Sequence, residues 1–167
     1  AAEIVVNGAT AVVTLADLRG IGLWDIADPR LYRLRLRLET PHGLDEMVER
    51  FGFRLAEFAP EGFRLNGRPL KLIGLNRHQS FPHAGYGLGR AAQRRDAEIL
   101  RHDVHLNMVR TSHYPQSPWF LERCDEIGLL VFEEIPGWQH LGSSAVWRDE
   151  TVDNVRRMIQ RDWNHPS

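Results

Sequence analysis

The residues able to do chemistry fall into four short groups: Asn76-Arg77-His78, Arg110 to His113, Glu133-Glu134, and Trp138 with His140. Each of the first three ends an apolar run. A histidine after a buried strand, as at His78, can hydrogen-bond a substrate hydroxyl, or it can simply cap or solvate its loop. Arg110 is more telling. Inside a short buried strand an arginine needs a carboxylate or a cluster of acceptors, because an unpaired buried charge is very costly. Glu134 on the next strand is the natural partner, and such an ion pair is compatible with a structural role, a binding role, or both. Glu133 and Glu134 invite a reading as paired catalytic carboxylates, but neighbours on a strand point to opposite faces. Only one can reach a shared site: Glu134 is expected to face it, and Glu133 to be structural. His140 is either a site residue or a packed one. Trp138 and Trp147 offer flat apolar faces that suit a pyranose ring, or else anchor loops over the core. His83, His102, His105 and His165 stand outside these groups and read as surface or turn residues. Cys124 reads as a small core residue.

Two regions of different period must position these groups. Residues 31–39 alternate, with Leu34, Leu36 and Leu38 on one side and Arg33, Arg35 and Arg37 on the other, which predicts a half-buried strand. Ile4 to Val6, Ala11 to Leu15 and Val48 to Phe58 are further strand candidates, and together they predict part of an antiparallel sandwich of immunoglobulin type. Asn66-Gly67 predicts a two-residue hairpin turn. Beyond it strands and helices alternate: an apolar strand over 70–75, a helix over 93–105, a strand from Met108 to Thr111, and a helix from the Ser117-Pro118 start to the Gly128 stop. A strand over 129–132 and a last helix with Val152, Val155, Ile159 and Trp163 on one stripe complete three β/α units. The polar groups gather where the strands end, the face on which a (β/α)8 barrel or a doubly wound sheet places its chemistry. No glycine-rich phosphate fingerprint follows the first strand, which argues against a nucleotide site.

Composition narrows the classes. With 43% hydrophobic and 26% charged residues the 167-residue chain is an ordinary globular mix. A formal charge of −1 leaves no basic field for nucleic acid, and no run approaches the ~18 apolar residues of a membrane helix. One cysteine excludes an internal disulfide and a cysteine zinc site, and no His-x-x-x-His or His-x-Glu cluster shares a helix. Ala1 to Val6 lacks the basic start of a signal peptide and begins in strand-like sequence without a methionine. That start reads as a piece of a longer chain, and the compartment stays open.

Four stretches then carry a resemblance: Asn76-Arg77-His78, Val109-Arg110-Thr111-Ser112-His113-Tyr114-Pro115, Val131-Phe132-Glu133-Glu134, and Arg161-Asp162-Trp163-Asn164-His165-Pro166-Ser167. Their order and spacing resemble glycoside hydrolase family 2, which contains β-galactosidases, β-glucuronidases and β-mannosidases. Leu23-Trp24-Asp25 through Tyr32 and Phe51-Gly52-Phe53-Arg54 resemble the end of the immunoglobulin-like domain that precedes the family's barrel. The resemblance implies that residues 1–60 are the C-terminal part of that sandwich and 61–167 the N-terminal part of a (β/α)8 TIM-barrel catalytic domain. It implies a retaining double displacement by two glutamates. His78, His113 and His140 would contact the substrate, Arg110 would orient a carboxylate, and Asn76, Glu134 and Trp138 would support them. Both catalytic glutamates would lie beyond Ser167, so the chain alone is expected to be inactive. No cofactor is expected: relatives that use magnesium carry a glutamate where this chain has Trp138. The implied partner is a β-glycoside or oligosaccharide, with a homo-oligomeric parent enzyme compatible with the pattern. The His-x-x-x-Pro and Ser-His-Tyr-Pro segments look most like the galactosidase branch. β-Glucuronidase is the alternative, and a non-catalytic carbohydrate-binding remnant the reading from another class.

Overall fold

The computed structural model describes residues 2–167. Two antiparallel ladders open the chain: β1 (Ala2–Asn7) with β2 (Thr10–Leu15), and β3 (Tyr32–Thr40) with β4 (Gly43–Phe51). The alternation in β3 leaves Leu34 and Leu36 half-buried and Arg33, Arg35 and Arg37 in solvent. The two ladders remain separate sheets, and no sandwich closes over them among the described residues. Among the described residues no second layer packs on them, and Ile4, Val5, Val6, Val12, Val13 and Leu38 all stay exposed.

What does pack is the root of the second hairpin. Tyr32, Phe51 and Phe53 pack their rings together, and Trp24 is fully buried with its indole N–H donating to the Asp125 carbonyl at 2.8 Å. Arg50 of β4 donates to Glu126 Oε1 at 2.6 Å. The strand expected over 48–58 is broken at Gly52, which lies against Pro166 and Trp24. A separate meander follows: β5 (Ala56–Ala59), β6 (Gly62–Leu65) and β7 (Arg68–Pro69). Asn66 and Gly67 make its expected tight turn, both with positive φ (53° and 76°).

Three β/α units complete the chain: β8 (Gly74–Arg77) and α1 (Arg90–Glu98), β9 (Met108–Thr111) and α2 (Pro118–Ile127), β10 (Leu130–Phe132) and α3 (Ala145–Asp162). β9 lies between β8 and β10, and both pairings are parallel. The strands follow chain order with no reversal, and three of them do not close a barrel. One core fills the space between sheet and helices, built from Ala97, Val109, Phe120, Leu121, Cys124 and Leu129. A second, around Trp24, Leu65 and Leu130, plugs the other end.

Two boundaries and one face differ from expectation. The strand expected over 70–75 begins at Gly74 and runs on through Asn76 and Arg77. Residues 71–73 are held by the Asn107 amide, which accepts from Ile73 N at 2.7 Å and donates to Lys71 O at 2.8 Å, so one side chain replaces a strand neighbour. The helix expected over 93–105 stops at Glu98 and passes into one π-helical turn, Ile99–Asp103. The α3 stripe is exposed at Val152, Val155, Ile159 and Trp163, because that helix docks through its last turn, where Asp162 is buried. Gly128 does end α2, at φ 72°, where a Cβ would strike the backbone of Ile26.

Arg77 is the strongest tie between sheet and helices. Its side chain is 5% exposed and donates to Gln93 Oε1 at 2.7 Å, Asp96 Oδ2 at 2.8 Å, and Gln116 Oε1. Its guanidinium lies 4.0 Å above the Phe120 ring, and Gln116 Nε2 donates back to the Arg77 carbonyl at 2.6 Å. Removing the cation strands acceptors that were desolvated to meet it. Arg77→Met is expected to lower the unfolding free energy by about 3 kcal/mol in urea denaturation, and a loss under about 0.5 kcal/mol would contradict this role.

Candidate active site

The parallel register places Asn76, Arg110 and Phe132 side by side on adjacent strands. Alternation then puts Glu134 on their face and Arg77, Thr111 and Glu133 on the other. Arg110 Nε donates to Glu134 Oε1, and its Nη1 reaches Asn76 Oδ1 at 3.4 Å. His113, which follows a cis peptide, sets Nδ1 2.9 Å from Glu134 Oε2. The Thr111 hydroxyl accepts from Glu134 N at 3.2 Å. Burial works to raise the Glu134 pKa, but the bonds from His113 and Arg110 outweigh it and hold the carboxyl below its usual range. The pair anticipated from sequence is therefore present. Its setting is more open than expected, with 37% of the Arg110 side chain exposed, because β9 is only four residues long and Arg110 stands near its end.

His78 is exposed beside this group, its ring edge-on to His113 at 5.4 Å. Trp138 lies flat on the His113 imidazole, 4.8 Å between centroids and 13° between planes. Asn76, His78, Arg110, His113, Glu134 and Trp138 thus come together from three strand ends. His140 does not join them: its side chain is exposed, and its backbone N–H closes a turn onto the Gly137 carbonyl at 2.7 Å. Trp147 is a half-buried loop anchor, close enough that a Cβ on Gly142 would strike its ring. The residues in this loop do not fit magnesium. Trp138 presents an indole instead of an oxygen, already stacked on His113, and the His140 side chain points to solvent.

Parallel β/α units with their polar groups collected at the strand ends are the arrangement of a barrel-type enzyme domain. A family model for glycosyl hydrolases family 2, TIM barrel domain, matches residues 57–167, and the chain belongs to that family. It is 56% identical over 153 residues to a β-galactosidase of Thermoanaerobacterium thermosulfurigenes, an alignment covering 92% of this chain and 21% of the relative. A β-galactosidase of Rhizobium meliloti is 52% identical over 132 residues, covering 78% and 18%. Among solved structures, Bacteroides uniformis β-glucuronidase 2 is 36% identical with a TM-score of 0.83, covering 94% of this chain and 19% of that one. A β-galacturonidase from Eisenbergiella tayi, bound to galacturonate, is 31% identical with a TM-score of 0.82, covering 94% and 29%. The chain spans about a fifth of the length of the curated relatives it matches.

Behind the sheet lies a second charged group, which joins Glu133, expected to be structural, to His165, expected at the surface or in a turn. Glu133 meets Arg161 and Asp162 of α3, and His165 sets Nδ1 2.5 Å from Asp125 Oδ2. His165 is therefore no surface residue. The pattern Asp162-x-x-His165-Pro166 at a helix end was the available signal. Arg54 donates to the Pro166 carbonyl, and Val131 N donates to the Ser167 carbonyl at 2.8 Å. A cavity of about 340 Å³ opens between these groups, Met158 and Ile159. Burial, then the charge and hydrogen bond of Asp162, push Glu133 up to about 7. Burial opposes the charged form of His165, yet the Asp125 bond and the surrounding carboxylates raise it. Elsewhere burial would raise Glu126, but Arg94, Arg123 and Arg50 bring it down to about 2.

The signs follow from linkage. Glu133 and His165, both raised, contribute stability that is full at low pH and is lost as pH climbs through their folded values. Glu126, lowered, contributes stability that is lost as pH falls from about 4.5 toward about 2. Stability is expected to peak near pH 5 and to fall by roughly 3 kcal/mol toward pH 8. Glu133→Gln should remove most of that alkaline decline. Chemical denaturation of both proteins at pH 5 and pH 8 checks this, and an unchanged slope in the variant would count against it.

Proposed function

We propose that this chain is the part of a retaining β-glycosidase that holds a terminal β-linked sugar, with β-galactoside the substrate. The observation that carries the reading is the clamp of Arg110 and His113 on Glu134 at adjacent strand ends, with Asn76 and His78 beside it. In this reading His78 and His113 hydrogen-bond sugar hydroxyls and steady an oxocarbenium-like transition state. Arg110 holds Glu134 charged, so that the site keeps a fixed negative field beneath the developing positive charge. The acid/base and nucleophilic glutamates of the double displacement are supplied from outside residues 1–167. His140 has no geometric support and takes no role. Residues 1–60 would belong to the preceding sandwich domain and 61–167 to the barrel.

The charge inventory favours a neutral sugar over a uronic acid. A uronate carboxylate needs a free cation, and the arginine of this group is already bonded to Glu134 and Asn76. The higher identity to β-galactosidases supports the same choice.

The test replaces the aligned 153-residue segment of the Thermoanaerobacterium thermosulfurigenes relative with the matching part of this chain. The folded chimera should hydrolyse nitrophenyl β-galactoside and prefer it to the β-glucuronide. His113→Ala in the chimera should lower kcat/KM by about 100-fold. A chimera that folds yet turns over neither glycoside would refute the reading, and a preference for the glucuronide would reassign the sugar. The 167-residue chain by itself should release no nitrophenol.

A further inference from the structure

Five rings run in unbroken contact along the strand ends. Trp138 lies on His113, His113 meets His78, His78 meets Tyr114 at 6.3 Å, and Tyr114 meets Tyr86 edge-on at 5.3 Å. The row crosses all three units: His78 and Tyr86 follow β8, His113 and Tyr114 follow β9, and Trp138 follows β10. Its middle is partly covered and polar, joined to Glu134 through His113 and to Gln79 N through the Tyr114 hydroxyl at 2.9 Å. Its ends are open, with Trp138 60% and Tyr86 63% exposed.

The two halves of this row suit different parts of a substrate. Around His78 and His113 there are imidazole nitrogens, the Asn76 amide and the Arg110–Glu134 pair, enough donors and acceptors for a hydroxyl-rich ring. Trp138 offers one N–H and a broad apolar face. One face of its indole is covered by His113, and the exposure that remains belongs to the outer side. Such a face gains by stacking on a ring and has little to offer an alkyl chain.

We infer that the outer face of Trp138 is a platform for the leaving group, making this site selective for β-glycosides whose aglycone is itself a ring, a second sugar or an aryl group. The inference rests on the β-glycosidase reading above. A terminal sugar has one linked neighbour, so once that sugar occupies the polar half of the row, any second ring lies on the leaving-group side. Trp138 is also carried by the loop after β10, outside the strand ends, where a group that must depart after bond cleavage has an open path.

The experiment is a competition assay on the chimera described above, in which methyl β-galactoside and phenyl β-galactoside inhibit hydrolysis of nitrophenyl β-galactoside, repeated with Trp138→Ala and Trp138→Phe in that chimera. The unmutated chimera should bind the phenyl glycoside about 3- to 10-fold more tightly than the methyl glycoside. In Trp138→Ala the ratio should fall to near one, and Trp138→Phe, which keeps a ring, should retain most of it. The same ratio in the unmutated chimera and Trp138→Ala overturns the platform while leaving the sugar-binding reading intact. Failure of the folded, unmutated chimera to bind either glycoside overturns both. His113→Ala, which removes the polar half, should weaken both ligands together; selective loss of the phenyl glycoside in that variant would assign the platform to His113 instead.

Discussion

A buried arginine cannot be left unpaired, and the arrangement of the strand–helix portion depends on how Arg77 is paired. Its acceptors come from α1 (Gln93 and Asp96) and from Gln116 just before α2, so satisfying one cation fixes β8 against both helices. That placement sets the register of β8 on β9, and the register decides which residues share the open face. Asn76 lies beside Arg110 because its neighbour Arg77 is held on the far side. A looser anchor would let β8 slip, and a slip of one residue would carry Asn76 and His78 away from the site and bring Arg77 into it.

The same alternation divides the two glutamates. Glu133 and Glu134 are covalent neighbours, yet one faces Asp162 in a buried pocket and the other faces Arg110 and His113 at the mouth. Their proton affinities move in opposite directions for that reason. Burial dominates at Glu133, where the nearest carboxylate repels a second charge. At Glu134 the paired donors outweigh burial. The end of β10 therefore carries a group raised to about 7 on its helix-facing side and one held below the usual carboxylate range on its open face.

Much of this was legible from residue order, for identifiable reasons. Asn66-Gly67 and Gly128 were readable because few residues tolerate positive φ. The Arg110–Glu134 pair was readable because strand pleating and the cost of a buried charge leave few alternatives. The family assignment followed from four motifs in fixed order. What was hidden depended on side chains acting at long range. Asn107 stands in for a strand across 34 and 36 residues, which moves the start of β8 with no local cue. His165 is drawn inward by Asp125, 40 residues away. The exposed stripe of α3 and the unclosed hairpins show the limit of hydrophobic pattern: it names the face a segment would bury, and a partner layer decides whether that face is buried.

The electrostatics also limit what Glu134 can do. A general acid must carry a proton near the working pH, and the Arg110 and His113 bonds make the protonated form of Glu134 unfavourable. Both carboxylate oxygens are also engaged, Oε1 by Arg110 and Oε2 by His113, and each hydrogen bond lowers the nucleophilicity of the oxygen that it meets. In the proposed reading the contribution of Glu134 is a fixed charge whose energy is greatest when positive charge develops on the sugar ring. Such a preorganised field needs no reorganisation during the reaction, so it acts on the transition state more than on the bound substrate. In the proposed β-glycosidase reading Glu134 thus belongs to the surroundings that favour bond cleavage, and the groups that break and make the glycosidic bond are other carboxyls.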